Sequence, residues 1–284
     1  MSRAPRVNAR SGGKRPRLGQ NFLADGRAAE RLVEALGDLS RATVVEIGPG
    51  RGALTGLLAE RAGRLIAIEL DRILSAQLRM KYAARSNVEI VEGDVLQVDL
   101  AALVGRGRKA RVVGNLPYFI TSPILERLFR FRDTVESIVL LVQREVAERL
   151  AARPGSRDYG LLSAVTQLHA RVEKLFTLPP GAFSPPPKVH STAVRLTPAE
   201  QELRVPRDEF VDFLKLSFAQ KRKTLANNLK PHYGEAAVRA ALQAAGLRAD
   251  VRAEAVGVEK AAEVFRSLAG VFFPAARQSG QQRR

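Results

Sequence analysis

The chain has 284 residues, with 46 Lys or Arg against 29 Asp or Glu, a formal net charge of +17, and an ordinary globular balance of 45% apolar and 26% charged residues. That composition excludes a disordered chain; the absence of Cys excludes disulfides, thiolate zinc sites, iron–sulfur clusters and cysteine nucleophiles, and with only three His no metal is expected. The basic excess points to a polyanionic partner, nucleic acid being the commonest, with solubility or an arginine-rich composition as the plainer alternative.

Residues 1–17 are basic, free of acids and broken by Pro5, Gly12, Gly13 and Pro16. A flexible arm is expected there, because it lacks the apolar centre of a secretory signal and its helix breakers oppose a transit peptide. No apolar run in the chain reaches the roughly 18 residues that cross a bilayer, so no membrane partner is expected.

Residues 28–36 have helical spacing, and strand-sized aliphatic runs follow at 43–47, 65–69, 88–91, 111–113 and 137–142. Helical candidates lie between them at 53–61, 72–84 and 123–131. This alternation predicts a parallel sheet covered on both faces, with a ligand site at the C-terminal ends of its strands. A Pro-rich stretch at 178–188, a strand-like run at 189–196 and a boundary near 197–206 come next. Beyond it, Asp208 is placed to cap a helix carrying Phe210, Phe213, Leu214 and Phe218, with further helices at 236–245 and 260–268. The expected organisation is an α/β domain over 18–200, a small α-helical RNA-binding domain over 201–274, and a basic tail over 275–284.

The strongest motif is Glu46-Ile47-Gly48-Pro49-Gly50-Arg51-Gly52, a strand running into a glycine turn and then a helix. Its G-x-G-x-G spacing, its preceding acid and the donor lost at Pro49 differ from the G-x-G-x-x-G loop that cradles a pyrophosphate. Gly48 and Gly50 therefore suit a ligand without phosphates, such as S-adenosylmethionine, although a tight turn with no ligand has the same glycines. Glu69 at the end of the next strand is placed to accept from ribose hydroxyls, and Asp94 after the third from an adenine amine. Singly, either acid is equally well a cap or a solvated charge. After the fourth strand, Asn115 and the Leu116 carbonyl offer two adjacent acceptors for an exocyclic amine, and Tyr118 offers a stacking face.

Asn115-Leu116-Pro117-Tyr118 resembles the signature of methyltransferases acting on adenine amines, and the chain over about residues 14–270 resembles the KsgA-type ribosomal RNA adenine dimethyltransferases. Further segments carry the resemblance: Leu18-Gly19-Gln20-Asn21-Phe22-Leu23, Gln143 to Leu150 with Asp158-Tyr159-Gly160, Phe183-Ser184-Pro185-Pro186-Pro187-Lys188-Val189, and Phe218 to Leu229. It implies a Rossmann-like class I methyltransferase fold with a mostly parallel seven-stranded sheet, and S-adenosylmethionine touched also by residues at Asn21, Leu23 and Asn115. The implied activity is dimethylation of two adjacent adenosines in a 3′-terminal hairpin loop of small-subunit (16S) ribosomal RNA.

Within that activity, Tyr118 and Phe183 are expected to sandwich the base, with core packing the alternative for Phe183. Lys188, Lys221, Arg222 and Lys223 are expected to meet RNA phosphates, Lys221–Lys223 with Lys230 on a basic helix that would otherwise be a solvated face. A cytoplasmic monomer working on small-subunit RNA or a pre-30S particle is implied. Two other readings share the scaffold: an Erm-like enzyme of 23S ribosomal RNA, and a noncatalytic RNA- or DNA-binding relative.

Overall fold

Short aliphatic runs separated by glycine turns and amphipathic segments build alternating strands and helices. The computed structural model describes residues 21–199 and 203–272; the arm at 1–17, Leu18, Gly19, Gln20 and the tail at 275–284 lie outside the described residues. In chain order the elements are β1 (Phe22–Leu23), α1 (Gly26–Glu34), β2 (Thr43–Ile47), α2 (Thr55–Arg61), β3 (Arg64–Glu69), α3 (Arg72–Lys81), β4 (Val88–Glu92), α4 (Leu100–Val104) and β5 (Ala110–Asn115). Then come α5 (Thr121–Arg130), β6 (Val135–Gln143), α6 (Arg144–Leu150), α7 (Leu161–His169), β7 (Ala170–Leu178), β8 (Phe183–Ser184) and β9 (Ser191–Pro198). Helices α8 (Arg207–Ser217), α9 (Leu225–Tyr233), α10 (Glu235–Ala244) and α11 (Val258–Phe272) complete the chain.

Seven strands form one sheet in the order β4-β3-β2-β5-β6-β9-β7, and β1 pairs separately with β8. Strands β4 to β6 run parallel, and β9 is antiparallel to both of its neighbours. The chain steps outward from β2 to β4 and then returns to lay β5 beside β2, so the strand order reverses between β2 and β5. Crevices at such a reversal, outside the C-terminal strand ends, are where open α/β sheets bind ligands.

Strand alternation sorts the core into two layers. Val45, Ile47, Ile66, Ile68 and Val112 pack on one face with Leu100, Leu125 and Ala147 of α4, α5 and α6. Val44, Leu65, Val113 and Leu141 pack on the other with Leu32, Leu58 and Leu78 of α1, α2 and α3. Aspartates fix several helix starts, Asp25 accepting from Ala28 N and Asp71 from Ile73 N and Leu74 N. Arg111 and Arg195 donate to the Leu36 and Ala35 carbonyls at 2.8 and 3.0 Å, which satisfies the C-terminal end of α1 and complements its dipole.

A third core joins α8 to α11, centred on Phe210, Phe213 and Phe265 with ring centroids 5.4 to 5.8 Å apart. It also takes in Ala152, Tyr159, Ala164 and Leu168, so α7 serves both the sheet and the helical region. The helix over Phe210 begins differently from the sequence expectation. Pro206 occupies the cap position and Asp208 lies in the first turn, where its charge faces the helix dipole instead of capping an amide.

Candidate active site

The strand-order reversal opens a cavity at the ends of β2, β3 and β5. It is lined by Asn21, Phe22 and Leu23 of the β1 segment, by the glycine loop, by Glu69 and Asp94, and by Asn115 through Ile120. Residues predicted from five separate segments thus converge on one space: Asn21, Leu23, Gly48, Gly50, Glu69, Asp94, Asn115, Leu116 and Tyr118 all line it.

The glycine loop is built for a ligand without phosphates. Gly48, Gly50 and Gly52 have φ of +65°, +57° and +83°, the left-handed region that favours glycine. Their amides are spent within the fold, on Ile68 O at 2.9 Å, Glu69 Oε2 at 2.9 Å and Pro49 O at 2.8 Å. No row of three amides is left to cradle a phosphate. At Gly50 a Cβ would lie 2.8 Å from the Phe22 ring, so β1 closes directly over the loop, and the Arg51 guanidinium sits 4.6 Å from the centre of that ring.

Glu69 is 3% exposed and accepts from Gly50 N through Oε2 and from Asp71 N through Oε1, both at 2.9 Å. Each oxygen keeps a lone pair, so the carboxylate arrives already oriented for two hydroxyls. Asp94 accepts from Leu96 N at 2.9 Å through Oδ1; it caps its own turn and still borders the cavity. Between them Ile47, Ile68, Val95, Leu96 and Leu116 supply apolar walls of the kind that take a heterocycle. Glycines, a buried carboxylate with lone pairs to spare, a second acid and apolar walls are a donor set that fits S-adenosylmethionine.

Sequence reasoning gave no role to Glu46, which also lines this space. Strand alternation places it beside Val44, on the same face as Glu69 of the neighbouring strand. It is 1% exposed, its Oε2 has no hydrogen-bond partner, and burial pushes its carboxyl up to about 8, with the Glu69 charge adding to the rise.

Asn115 ends β5 on the α1 to α3 side. Its Nδ2 donates to Asn21 O at 2.8 Å, which turns the amide so that Oδ1 is the atom left for a ligand. The Leu116 side chain is buried in the first core and fixes the peptide that follows. Tyr118 is half-buried, and its hydroxyl shares a 2.6 Å hydrogen bond with Ser191 Oγ at the start of β9. Burial raises the phenol further, so it stays protonated and supplies a face and no base. None of the three His lines the cavity; His169 stacks on Phe129 with centroids 4.7 Å apart, and burial together with Arg207 and Arg132 drives it down to about 4.

At two places the local structure differs from the sequence expectation. Phe183 does not line the cavity: it is 4% exposed, pairs with Leu23 across β1 and β8, and packs in the second core with Leu178 and Ala182. Its apolar ring packs there in the manner of the core alternative. Lys221, Arg222 and Lys223 are not on a helix either; they occupy the turn between α8 and α9, with Thr224 capping α9 through Asn227 N. All three are exposed, as are Lys188 and Lys230. Among the described residues none of the five has an ion-pair partner. Helix α8 starts with Arg207 donating to Leu168 O at 2.8 Å and ends with Phe218 beside Tyr159, so it runs antiparallel to α7 and carries the basic turn toward the start of that helix.

Among the described residues no group of three or more His, Asp or Glu is arranged to hold a metal, and no helix is long and apolar enough to cross a membrane.

Comparison with known proteins agrees with this geometry. Residues 12–270 match the family model described as ribosomal RNA adenine dimethylase. A relative from Koribacter versatilis named ribosomal RNA small subunit methyltransferase A is 54% identical over 90% of this chain and 94% of its own length. One of the same name from Acidobacterium capsulatum is 57% identical over 92% and 94%. Among solved structures, a dimethyladenosine transferase from Plasmodium falciparum superposes with a TM-score of 0.73 at 25% identity, covering 88% of this chain and 98% of its own. The 23S rRNA methyltransferase ErmE superposes with a TM-score of 0.68 at 29% identity, covering 87% and 99%.

Proposed function

The chain belongs to the ribosomal RNA adenine dimethylase family, as an enzyme dimethylating adenine in small-subunit ribosomal RNA, and we propose that its targets are two adjacent adenosines in a 3′-terminal hairpin loop of 16S RNA. The observation that carries the chemistry is the end of β5: an asparagine amide locked by Asn21, followed three residues on by a tyrosine locked by Ser191, both lining the cavity that Glu69 and Asp94 border.

S-adenosylmethionine, when bound, supplies an electrophilic methyl group on a sulfonium. Glu69 holds the ribose and Asp94 the adenine amine of that donor, with Gly48, Gly50, Asn21 and Leu23 closing around it. Asn115 Oδ1 and the Leu116 carbonyl accept from the two N–H groups of the target amine. An adenine amine is a poor nucleophile because its lone pair is shared with the ring. Two fixed acceptors draw the nitrogen toward a pyramidal geometry and aim the lone pair, which is catalysis by positioning and electrostatics. Tyr118 stacks on the base once it has left its own stack, a step that loop RNA makes cheap. The amine becomes acidic only as the methyl arrives, so water or Asn115 takes the proton late and no histidine is needed.

Lys188, Lys221, Arg222 and Lys223 contact RNA phosphates in this reading. The protein works as a cytoplasmic monomer on small-subunit RNA or a pre-30S particle, without a metal. The Erm-like alternative draws on the ErmE superposition, but relatives at 54% and 57% identity bear the small-subunit name. A noncatalytic role would tolerate loss of the cofactor acids, and Glu69, Asp94 and Asn115 are all in place.

Asn115→Ala tests the reading. Methyl transfer is expected to fall by at least about a hundredfold, the scale at which losing a preorganised acceptor acts, while the dissociation constant for S-adenosylmethionine stays within a few-fold. Near-normal turnover would remove Asn115 from the chemistry.

A further inference from the structure

Phe119 follows the tyrosine platform and is 65% exposed, the one aromatic among the exposed large apolar side chains of the described residues. Its position is imposed by its neighbours. Tyr118, Phe119 and Ile120 form a single 3-10 turn, closed by Ile120 N donating to Pro117 O at 3.2 Å and followed by Thr121 Oγ1 donating to Tyr118 O at 3.4 Å. In such a turn successive side chains point about 120° apart. Tyr118 is turned inward by Ser191, and Ile120 packs against the first core. The third direction is outward, and the ring between them stands at the cavity mouth, which it helps to line.

We propose that Phe119 is a stacking platform for an unpaired RNA base next to the adenosine that enters the cavity, a second base site beside Tyr118. The inference rests on the RNA-methylation reading of the cavity. A strand that delivers one base into the cavity holds the next base one nucleotide step away, at the mouth. An exposed aromatic ring there gains a base face and loses water, and stacking of this kind accepts any base. The surrounding charge favours the same occupant. Arg51 of the glycine loop is exposed and lines the same cavity as Phe119, and Lys188 is exposed on the segment that leads into Ser191, the partner of Tyr118, so cationic side chains that suit an RNA backbone belong to segments adjoining the site. The platform is rigid because Tyr118 and Ile120 are both held, so little conformational freedom is lost when a base lands.

The chain contains no Trp, so Phe119→Trp introduces a single indole fluorophore at the site. The probe is a hairpin RNA with two adjacent adenosines in its loop, compared with versions in which either adenosine is abasic, binding being followed separately by anisotropy of a dye on the RNA. The intact hairpin is expected to quench the indole, and both abasic versions to quench it much less at equal occupancy. Phe119→Ala is expected to raise KM for the intact hairpin roughly tenfold or more, the scale of removing one base stack, with a smaller change in kcat, and Phe119→Tyr to restore it. Equal quenching by intact and abasic hairpins, or none on an RNA that is bound, overturns the inference, as does an unchanged KM in Phe119→Ala. Failure of the unaltered enzyme to methylate small-subunit RNA would instead count against the reading of the cavity.

Discussion

Glu46 shows how one buried residue sets the charge of the site. With its carboxyl near 8 it keeps its proton at neutral pH, so it adds a neutral group and no charge to the cavity that Glu69, Asp94 and Arg51 also line. A folded-state value raised above the ordinary 4.5 means that the unfolded chain ionises first. The stability Glu46 contributes is complete below about pH 4.5 and is lost as the pH rises through about 8. Glu46→Gln keeps the shape and removes the titration. Its melting temperature is therefore expected to improve relative to the unaltered protein as pH rises from 5 to 8, and a difference that stays constant over that range would contradict the burial argument. Alternation along β2 could have marked this residue in the sequence, since Val44 and Glu46 share a face, but its missing partner is visible only in three dimensions.

At the scale of elements, the β1 and β8 pair is a strap over the cofactor end of the cavity. Phe22 lies on Gly50, the Asn21 carbonyl holds Asn115, and Leu23 is paired to Phe183. Gly50→Ala would put a methyl group 2.8 Å from the Phe22 ring at a φ of +57°. The strap must lift, so affinity for S-adenosylmethionine is expected to fall at least about tenfold, measured by calorimetry, with a melting temperature reduced by a few degrees for the added backbone strain. An unchanged affinity would mean that the strap does not close the site.

The central strands were legible because β2 and β3 are short runs dominated by buried aliphatic residues, Val44, Val45 and Ile47 in one and Leu65 to Ile68 in the other. Strand β7 was not: Arg171, Glu173 and Lys174 break its apolar pattern, as befits an edge strand that discourages further pairing. Helices α6 and α7 passed unassigned because their charged and small residues give weak periodicity. Among site residues, Glu69, Asp94 and Asn115 could be found from their places at strand ends. Phe183 was not legible in the same way, because a phenylalanine between prolines has one sequence signature whether it faces a ligand or, as here, packs in a core.

For the whole molecule, the charge of +17 divides by place and role. Among the described residues no lysine or histidine lines the cavity and Arg51 alone of the arginines does, so the described lining draws little on the basic excess. The exposed turn Lys221-Arg222-Lys223 is the part of the body best suited to phosphates. Neutralising all three is expected to lower the slope of log affinity for RNA against log salt by about one for each phosphate that the turn had neutralised, in binding titrations between low and moderate salt. An unchanged slope would assign the turn to solvent. The most direct measurement of the whole account is to incubate the protein with labelled S-adenosylmethionine and unmethylated ribosomal subunits and to map the modified nucleotides. Dimethyladenosine at two adjacent positions in the 3′-terminal hairpin loop of small-subunit RNA, formed at least about a hundredfold more slowly by Asn115→Ala, is the expected result; label in large-subunit RNA, or a near-normal labelling rate in Asn115→Ala, would contradict it.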